Sequence, residues 1–130
     1  MKALLFDTCF LIDLERELRR GEGRAHEFLR LHPASHARLS WTTVGEFAEG
    51  FGGVDHPACG AMLARFEIVP VDRSVADRYA FITRHLRDRR QLIGANDLWI
   101  AAAALAHDLP LVTNNLSHFE RVPGLSVMSY

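Results

Sequence analysis

The chain has 130 residues, 48% of them hydrophobic and 24% charged. That is one globular domain's worth of sequence, expected over residues 1–130, and it excludes a disordered tail or a long coiled coil. With 15 basic and 16 acidic residues the formal charge is −1, so the protein is no polycation that grips nucleic acid by bulk charge. The longest unbroken apolar run, residues 98–106, is about half of what a membrane span needs.

In chain order, residues 2–6 read as a short buried strand, closed by Asp7. The same Asp7 cuts the apolar start too short for a secretory leader. From Thr8 to about Arg20, Phe10, Leu11, Leu14 and Leu18 recur at helical spacing, and Gly21 and Gly23 end the run. Residues 24–32 predict a second helix with Phe28, Leu29 and His32 on one side, stopped by Pro33. Residues 37–41 predict a strand, and Thr42 or Thr43 opens a helix that ends near Gly50, Gly52 and Gly53. A helix over 57–65, a strand over 67–71 and a long amphipathic helix capped by Ser74 follow, the last carrying Val75, Tyr79, Ile82 and Leu86.

After Gly94, residues 96–107 give the clearest helix, with four consecutive alanines at 101–104 suited to close packing. Strands are expected at 109–113 and, at the edge, 125–129. Apolar strands alternating with helices predict an α/β fold: three layers, with a mainly parallel sheet covered on both faces. Two cysteines, Cys9 and Cys59, make neither a disulfide framework nor a zinc motif, and are expected as reduced thiols in a cytoplasmic protein.

In such a sheet, functional groups gather at the carboxyl ends of the strands. Asp7 follows the first strand, Glu46 lies about one helical turn beyond the second, Asp97 opens the alanine-rich helix, and Asn115 follows the strand that ends in Thr113. Each also has a local structural role open to it. Asp7 suits a helix cap, Asp97 a helix dipole, Thr43-x-x-Glu46 a capping box and Asn115 a turn. Brought together, the three carboxylates would raise one another's pKa unless a hard dication such as Mg2+ lay among them. Were Asp7, Glu46 and Asp97 neutralised in this way, 15 basic residues would face 13 acidic ones. Arg16, Arg19, Arg20 and Arg24 form one local excess, and Arg84, Arg87, Arg89 and Arg90 another. Either could contact phosphates or form a solvated face offset by Glu15, Glu17, Glu22 and Asp88.

Four blocks, LLFDTCFLID at 4–13, SWTTVGEFAEG at 40–50, GANDLWIAAAALAHDLPLVTNN at 94–115 and SHFERVPGLSV at 117–127, resemble the PIN domains of VapC-like toxins over nearly the whole chain. The resemblance implies a metal-dependent endoribonuclease that hydrolyses RNA, often tRNA or rRNA, works as a homodimer and is held inactive by a VapB-like antitoxin. It makes Asp7 and Asp97 the principal Mg2+ or Mn2+ ligands and Glu46 the third acidic member, ligating directly or orienting water. Thr8 and Thr113 would supply hydroxyls beside the site. Asn115 stands where many PIN domains carry a fourth acid, which implies one firmly held ion and a second arriving with RNA.

Other doubly wound enzymes fit poorly. A phosphoryl-accepting receiver needs a lysine late in the chain, and Lys2 is the only one; a dehalogenase-like phosphatase needs an Asp where Cys9 stands; no phosphate-binding glycine loop occurs. The rival from another class is a PIN-like module that acts mainly in a DNA-binding complex with its antitoxin and has little nuclease activity. Phe47, Phe51 and Trp99 are candidates for partner or dimer contacts, or for ordinary core burial.

Overall fold

The computed structural model describes residues 2–33 and 36–130. Five short strands, β1 (Leu4–Phe6), β2 (Ala37–Leu39), β3 (Glu67–Ile68), β4 (Leu111–Val112) and β5 (Val127–Met128), form one parallel sheet in the order β3-β2-β1-β4-β5. Among the described residues seven helices cover it: α1 (Thr8–Arg20), α2 (Arg24–Leu31), α3 (Trp41–Glu49), α4 (Pro57–Leu63), α5 (Arg73–Asp88), α6 (Ala95–Ala106) and α7 (Leu116–Phe119). This is the expected three-layer α/β arrangement. Alternate residues of β1 feed opposite cores, Leu4 and Phe6 packing with α1 to α4, and Leu5 with α5 and α6. On the first side Phe6, Phe10 and Phe28 meet edge to face or tilted, with ring centroids 4.4–5.9 Å apart. On the second, the four alanines at 101–104 are buried and let α6 lie close against α5.

Hydrogen-bonded pairing is shorter than the apolar runs. Val69 follows β3 and its amide still bonds the Leu39 carbonyl at 2.9 Å, whereas the Leu109 amide turns back to the Ala104 carbonyl at 2.8 Å; both residues pack into the second core. Trp41 is not in β2; it begins α3 and is half exposed. Leu18 keeps its helical phase but lies beyond the core edge, 58% exposed. Ser74 is not the cap of α5. Asp72 caps it, its Oδ1 accepting from the Val75 amide at 3.2 Å and from the Ser74 hydroxyl at 2.5 Å, because a carboxylate one position before the helix outcompetes a hydroxyl already inside it.

The α1–α2 connection is held by Glu17, which the sequence offered only as an acid offsetting nearby arginines should they form a solvated face. Gly23, which precedes α2, has no side chain to cap it, and the Glu17 carboxylate accepts instead from the backbone of Gly23 (2.7 Å), Ala25 (3.0 Å) and His26 (3.0 Å), and from His26 Nδ1 (2.8 Å). Glycine at 23 makes the room, since a Cβ there would sit 3.0 Å from the Glu17 carboxyl carbon. Burial pushes the Glu17 carboxyl upward, but the bonds from His26, Ala25 and Gly23 prevail and hold it at about 2. Because the folded value lies below the unfolded one, its contribution is complete above about 4.5 and is lost as pH falls through about 2. Glu17→Gln is expected to cost about 1.5–3 kcal/mol at neutral pH, read by urea unfolding. The gap from wild type should close on acidification; a gap independent of pH would show that the charge is not what holds the connection.

Candidate active site

The strand order reverses direction at β1: the chain runs outward through β2 and β3, then returns to β4 on the other side. Asp7 and Thr113, the residues just after β1 and β4, therefore stand side by side at the crevice such a reversal creates, and the Asp7 amide bonds the Val112 carbonyl at 3.0 Å.

Asp7 caps α1 and does more. Its Oδ1 accepts from the Thr8 amide at 2.7 Å, while Oδ2 accepts from the Thr113 hydroxyl at 2.7 Å and from the Cys9 thiol at 3.5 Å. The side chain is only 5% exposed. Burial is the main force pushing its carboxyl above the usual range; the bonds from Thr113, Thr8 and Cys9 work against the rise, and the charge of Asp97 adds to it. Burial likewise pushes the Cys9 thiol up, in keeping with its role as a donor. Thr113, wholly buried, also accepts from the Asn115 amide at 3.0 Å, so its hydroxyl is engaged in aiming Asp7.

Glu46 is not the third residue of a capping box. Ser40 caps α3, its Oγ accepting from the Thr43 amide at 3.2 Å, so Glu46 is released from the helix end and points across the site. Its Oε1 accepts from the Thr8 hydroxyl at 2.6 Å and its Oε2 from the Asn96 amide nitrogen at 3.1 Å. One carboxylate thus ties α3 to the first turns of α1 and α6. Asp97, in the first turn of α6, shares an open cavity of about 370 Å³ with Glu46, Gly94, Ala95 and Asn96. Its Oδ2 lies 3.2 Å from His118 Nδ1, and the same nitrogen lies 2.9 Å from Asn115 Nδ2. Sequence spacing did not single out His118: its block was noticed, but nothing local ties it to Asp97, twenty-one positions away.

The fold therefore brings Asp7, Glu46, Asp97, Thr8, Thr113 and Asn115 to one end of the sheet. Among the described residues, no three His, Cys, Asp or Glu side chains close around one point tightly enough to cage an ion. Magnesium needs no such cage, since it binds through one or two carboxylates, keeps several waters and takes up substrate phosphates. The donors are hard oxygens, and the Asp7 carboxyl is raised mainly by burial, with the charge of Asp97 adding to it; a dication beside Asp7 and Asp97 would offset both.

The sequence matches the PIN domain over residues 4–125. The chain belongs to the PIN-domain family. Ribonuclease VapC1 of Methanocaldococcus jannaschii is 30% identical over 128 residues, covering 98% of this chain and 86% of that protein. The crystal structure of DNA-bound VapBC from Salmonella typhimurium matches with a TM-score of 0.77 at 26% identity, over 99% of this chain and 98% of that one. VapBC2 from Rickettsia felis, bound to a DNA fragment from its promoter, shares the fold with a TM-score of 0.80 at 23% identity, over 98% of both chains.

Of the arginines in the two local basic excesses, several pair on their own helices: Arg16 with Asp13, Arg19 with Glu15 at 2.8 Å, and Arg84 with Asp88 at 3.5 Å. These are exposed pairs of small individual worth. Phe47 is core, Phe51 packs on it at 5.1 Å, and Trp99 stacks on Tyr79 at 3.9 Å. No helix among the described residues is long and apolar enough to cross a membrane.

Proposed function

We propose that this chain is the toxin of a VapBC-type toxin–antitoxin pair, a Mg2+- or Mn2+-dependent endoribonuclease that cuts tRNA or rRNA. It would work as a homodimer in the cytoplasm and be restrained by a VapB-like antitoxin. The observation that carries the reading is the meeting of Asp7, Glu46 and Asp97 from three separate segments at the strand reversal. The relatives support it, being named ribonucleases and, for the Klebsiella pneumoniae structure that matches at 28% identity, a toxin–antitoxin complex.

Asp7 and Asp97 are the side chains that would hold the ion. A bound Mg2+ or Mn2+ supplies water activation and neutralises the charge that builds on the phosphate. Thr113 and the Thr8 amide keep Asp7 from rotating away. Glu46, braced by Thr8 and Asn96, is the group placed to accept a proton from the attacking water or to orient it. The water oxygen bonds to phosphorus in line with the 3′-oxygen, which leaves and takes up a proton, so the products carry a 5′-phosphate and a 3′-hydroxyl. Asn115 brings an amide rather than a fourth charge, consistent with a single resident ion.

The test is end-mapping of total RNA treated with the purified chain and Mn2+. Cuts with 5′-phosphate and 3′-hydroxyl ends, halted by excess EDTA, are expected. Ends with 2′,3′-cyclic phosphate, or full cleavage in EDTA, would refute the mechanism. A free chain that cuts nothing, yet assembles on DNA with a small DNA-binding partner, would favour the complex-forming module instead, a reading kept in view by the DNA-bound state of the Salmonella relative.

A further inference from the structure

We propose that His118 is a positioning residue for Asp97, acting through a proton held on Nδ1 and resting on the ribonuclease reading above. Its Nδ1 lies 3.2 Å from Asp97 Oδ2 and 2.9 Å from the side-chain amide of Asn115. Those two contacts cannot both be satisfied with the amide nitrogen of Asn115 facing the ring. If Asn115 donated to a bare Nδ1, the ring's lone pair would face a carboxylate oxygen at hydrogen-bond range, which is repulsive. If Nδ1 carries the hydrogen, it donates to Asp97, and a half-turn of the Asn115 amide presents its oxygen to the same N–H. Amide nitrogen and oxygen are interchangeable in outline, so chemistry decides, and the carboxylate demands the donor.

Three segments are joined by this bond. Asp97 stands in the first turn of α6, His118 on α7, and Asn115 immediately before α7, its backbone already tied to Thr113 and through it to Asp7. A hydrogen-bond path thus runs Asp7, Thr113, Asn115, His118, Asp97, from one proposed ligand to the other. Asp97 is about three-quarters buried and is not the N-cap of α6, which is Gly94; the side-chain contact that aims it comes from the histidine. Partners that orient a ligating carboxylate typically govern metal affinity or activity by about 10- to 100-fold. The histidine side chain is 42% exposed, so replacing it opens no cavity in the core.

The experiment compares wild type with His118→Ala, His118→Asn and His118→Gln, reading Mn2+ affinity by calorimetry on the RNA-free protein and kcat and KM for RNA. Asn carries an N–H near the place of Nδ1, whereas Gln reaches toward the place of Nε2. His118→Ala is expected to weaken Mn2+ binding about 10-fold and to lower kcat by a similar factor with KM unchanged. Asn should restore most of both, and Gln should not. Nitrogen chemical shifts of the unaltered protein, independent of any substitution, should report hydrogen on Nδ1. Wild-type Mn2+ affinity in His118→Ala, equal rescue by Gln and Asn, a change in KM alone, or an Nε2–H imidazole with bare Nδ1 would overturn the assignment. A wild-type chain that neither takes up Mn2+ nor cuts RNA would bring down the ribonuclease reading itself, and this inference with it.

Discussion

Asp7→Asn is expected to slow RNA cleavage by about 10³-fold or more and to leave the metal-free protein at least as stable as wild type. The activity loss follows from removing one of two carboxylates proposed to hold the ion, whose stabilisation of developing charge is worth several kcal/mol. The stability effect has the opposite sign from most buried substitutions, and the pKa explains why. Burial, with the charge of Asp97 in the same direction, outweighs the bonds from Thr113, Thr8 and Cys9 and raises the folded carboxyl above its ordinary 3.8. Between the unfolded and folded values the native state binds more protons than the unfolded chain, so stability falls as pH rises, and above the folded value the whole penalty is present. Asparagine carries no such penalty. Its oxygen can keep the Thr8 amide bond while its nitrogen donates to Thr113, whose hydroxyl oxygen has a second lone pair beside the one used by the Asn115 amide. Melting in EDTA from about pH 4 upward should show the variant gaining on wild type as pH rises. Added Mn2+ should then raise the melting temperature of wild type and not of the variant. A variant that melts far below wild type at neutral pH in EDTA, or that shows the same Mn2+ shift, would remove Asp7 from the proposed ion site.

The placement of Asp7 and Asp97 was legible because it follows from local pattern. A carboxylate directly after a buried apolar strand and another just after a glycine at the head of an alanine-rich helix are fixed by strand and helix boundaries alone. Glu46 was legible as an acid near the site but carried a false alternative. Ser40-x-x-Thr43 and Thr43-x-x-Glu46 are both plausible capping spacings, and what chooses between them is the end of β2, set by the burial of Ala37 and Leu39 rather than by the helix sequence. Asp72 and Ser74 posed the same choice for α5, where the carboxylate won. The interactions that escaped sequence reading are those with no local period. Glu17 reaches nine positions forward to cap α2, and His118 reaches back twenty-one to Asp97 from a four-residue helix too short to show periodicity. Cys9 reads as an unremarkable thiol until the sheet sets it 3.5 Å from the Asp7 carboxylate and 3.6 Å from Thr113.

Glu46→Gln separates chemistry from scaffolding at the third acid, and is expected to lower kcat by about 10²-fold or more with little change in stability. Glu46 bonds no backbone amide of α3, since the Thr43 amide belongs to Ser40, so the substitution leaves the helix start intact. Both side-chain partners can also be kept. With the Gln oxygen toward Thr8, the hydroxyl still donates at the 2.6 Å contact, and Asn96 turns its own amide oxygen toward the new nitrogen. The strut between α1, α3 and α6 survives, and the change in folding free energy should stay within about 0.5 kcal/mol, as for substitutions that break no buried network. What disappears is a negative oxygen able to take or steer a proton. Since the cavity shared with Asp97 also loses one charge that repels phosphates, KM for RNA should hold or fall while kcat drops. That split cannot come from loss of a binding contact, which would raise KM instead. Near-normal turnover in Glu46→Gln, combined with a sharp loss of stability in Glu46→Ala, would assign the residue to bracing the three helices and leave the reaction to Asp7 and Asp97 alone.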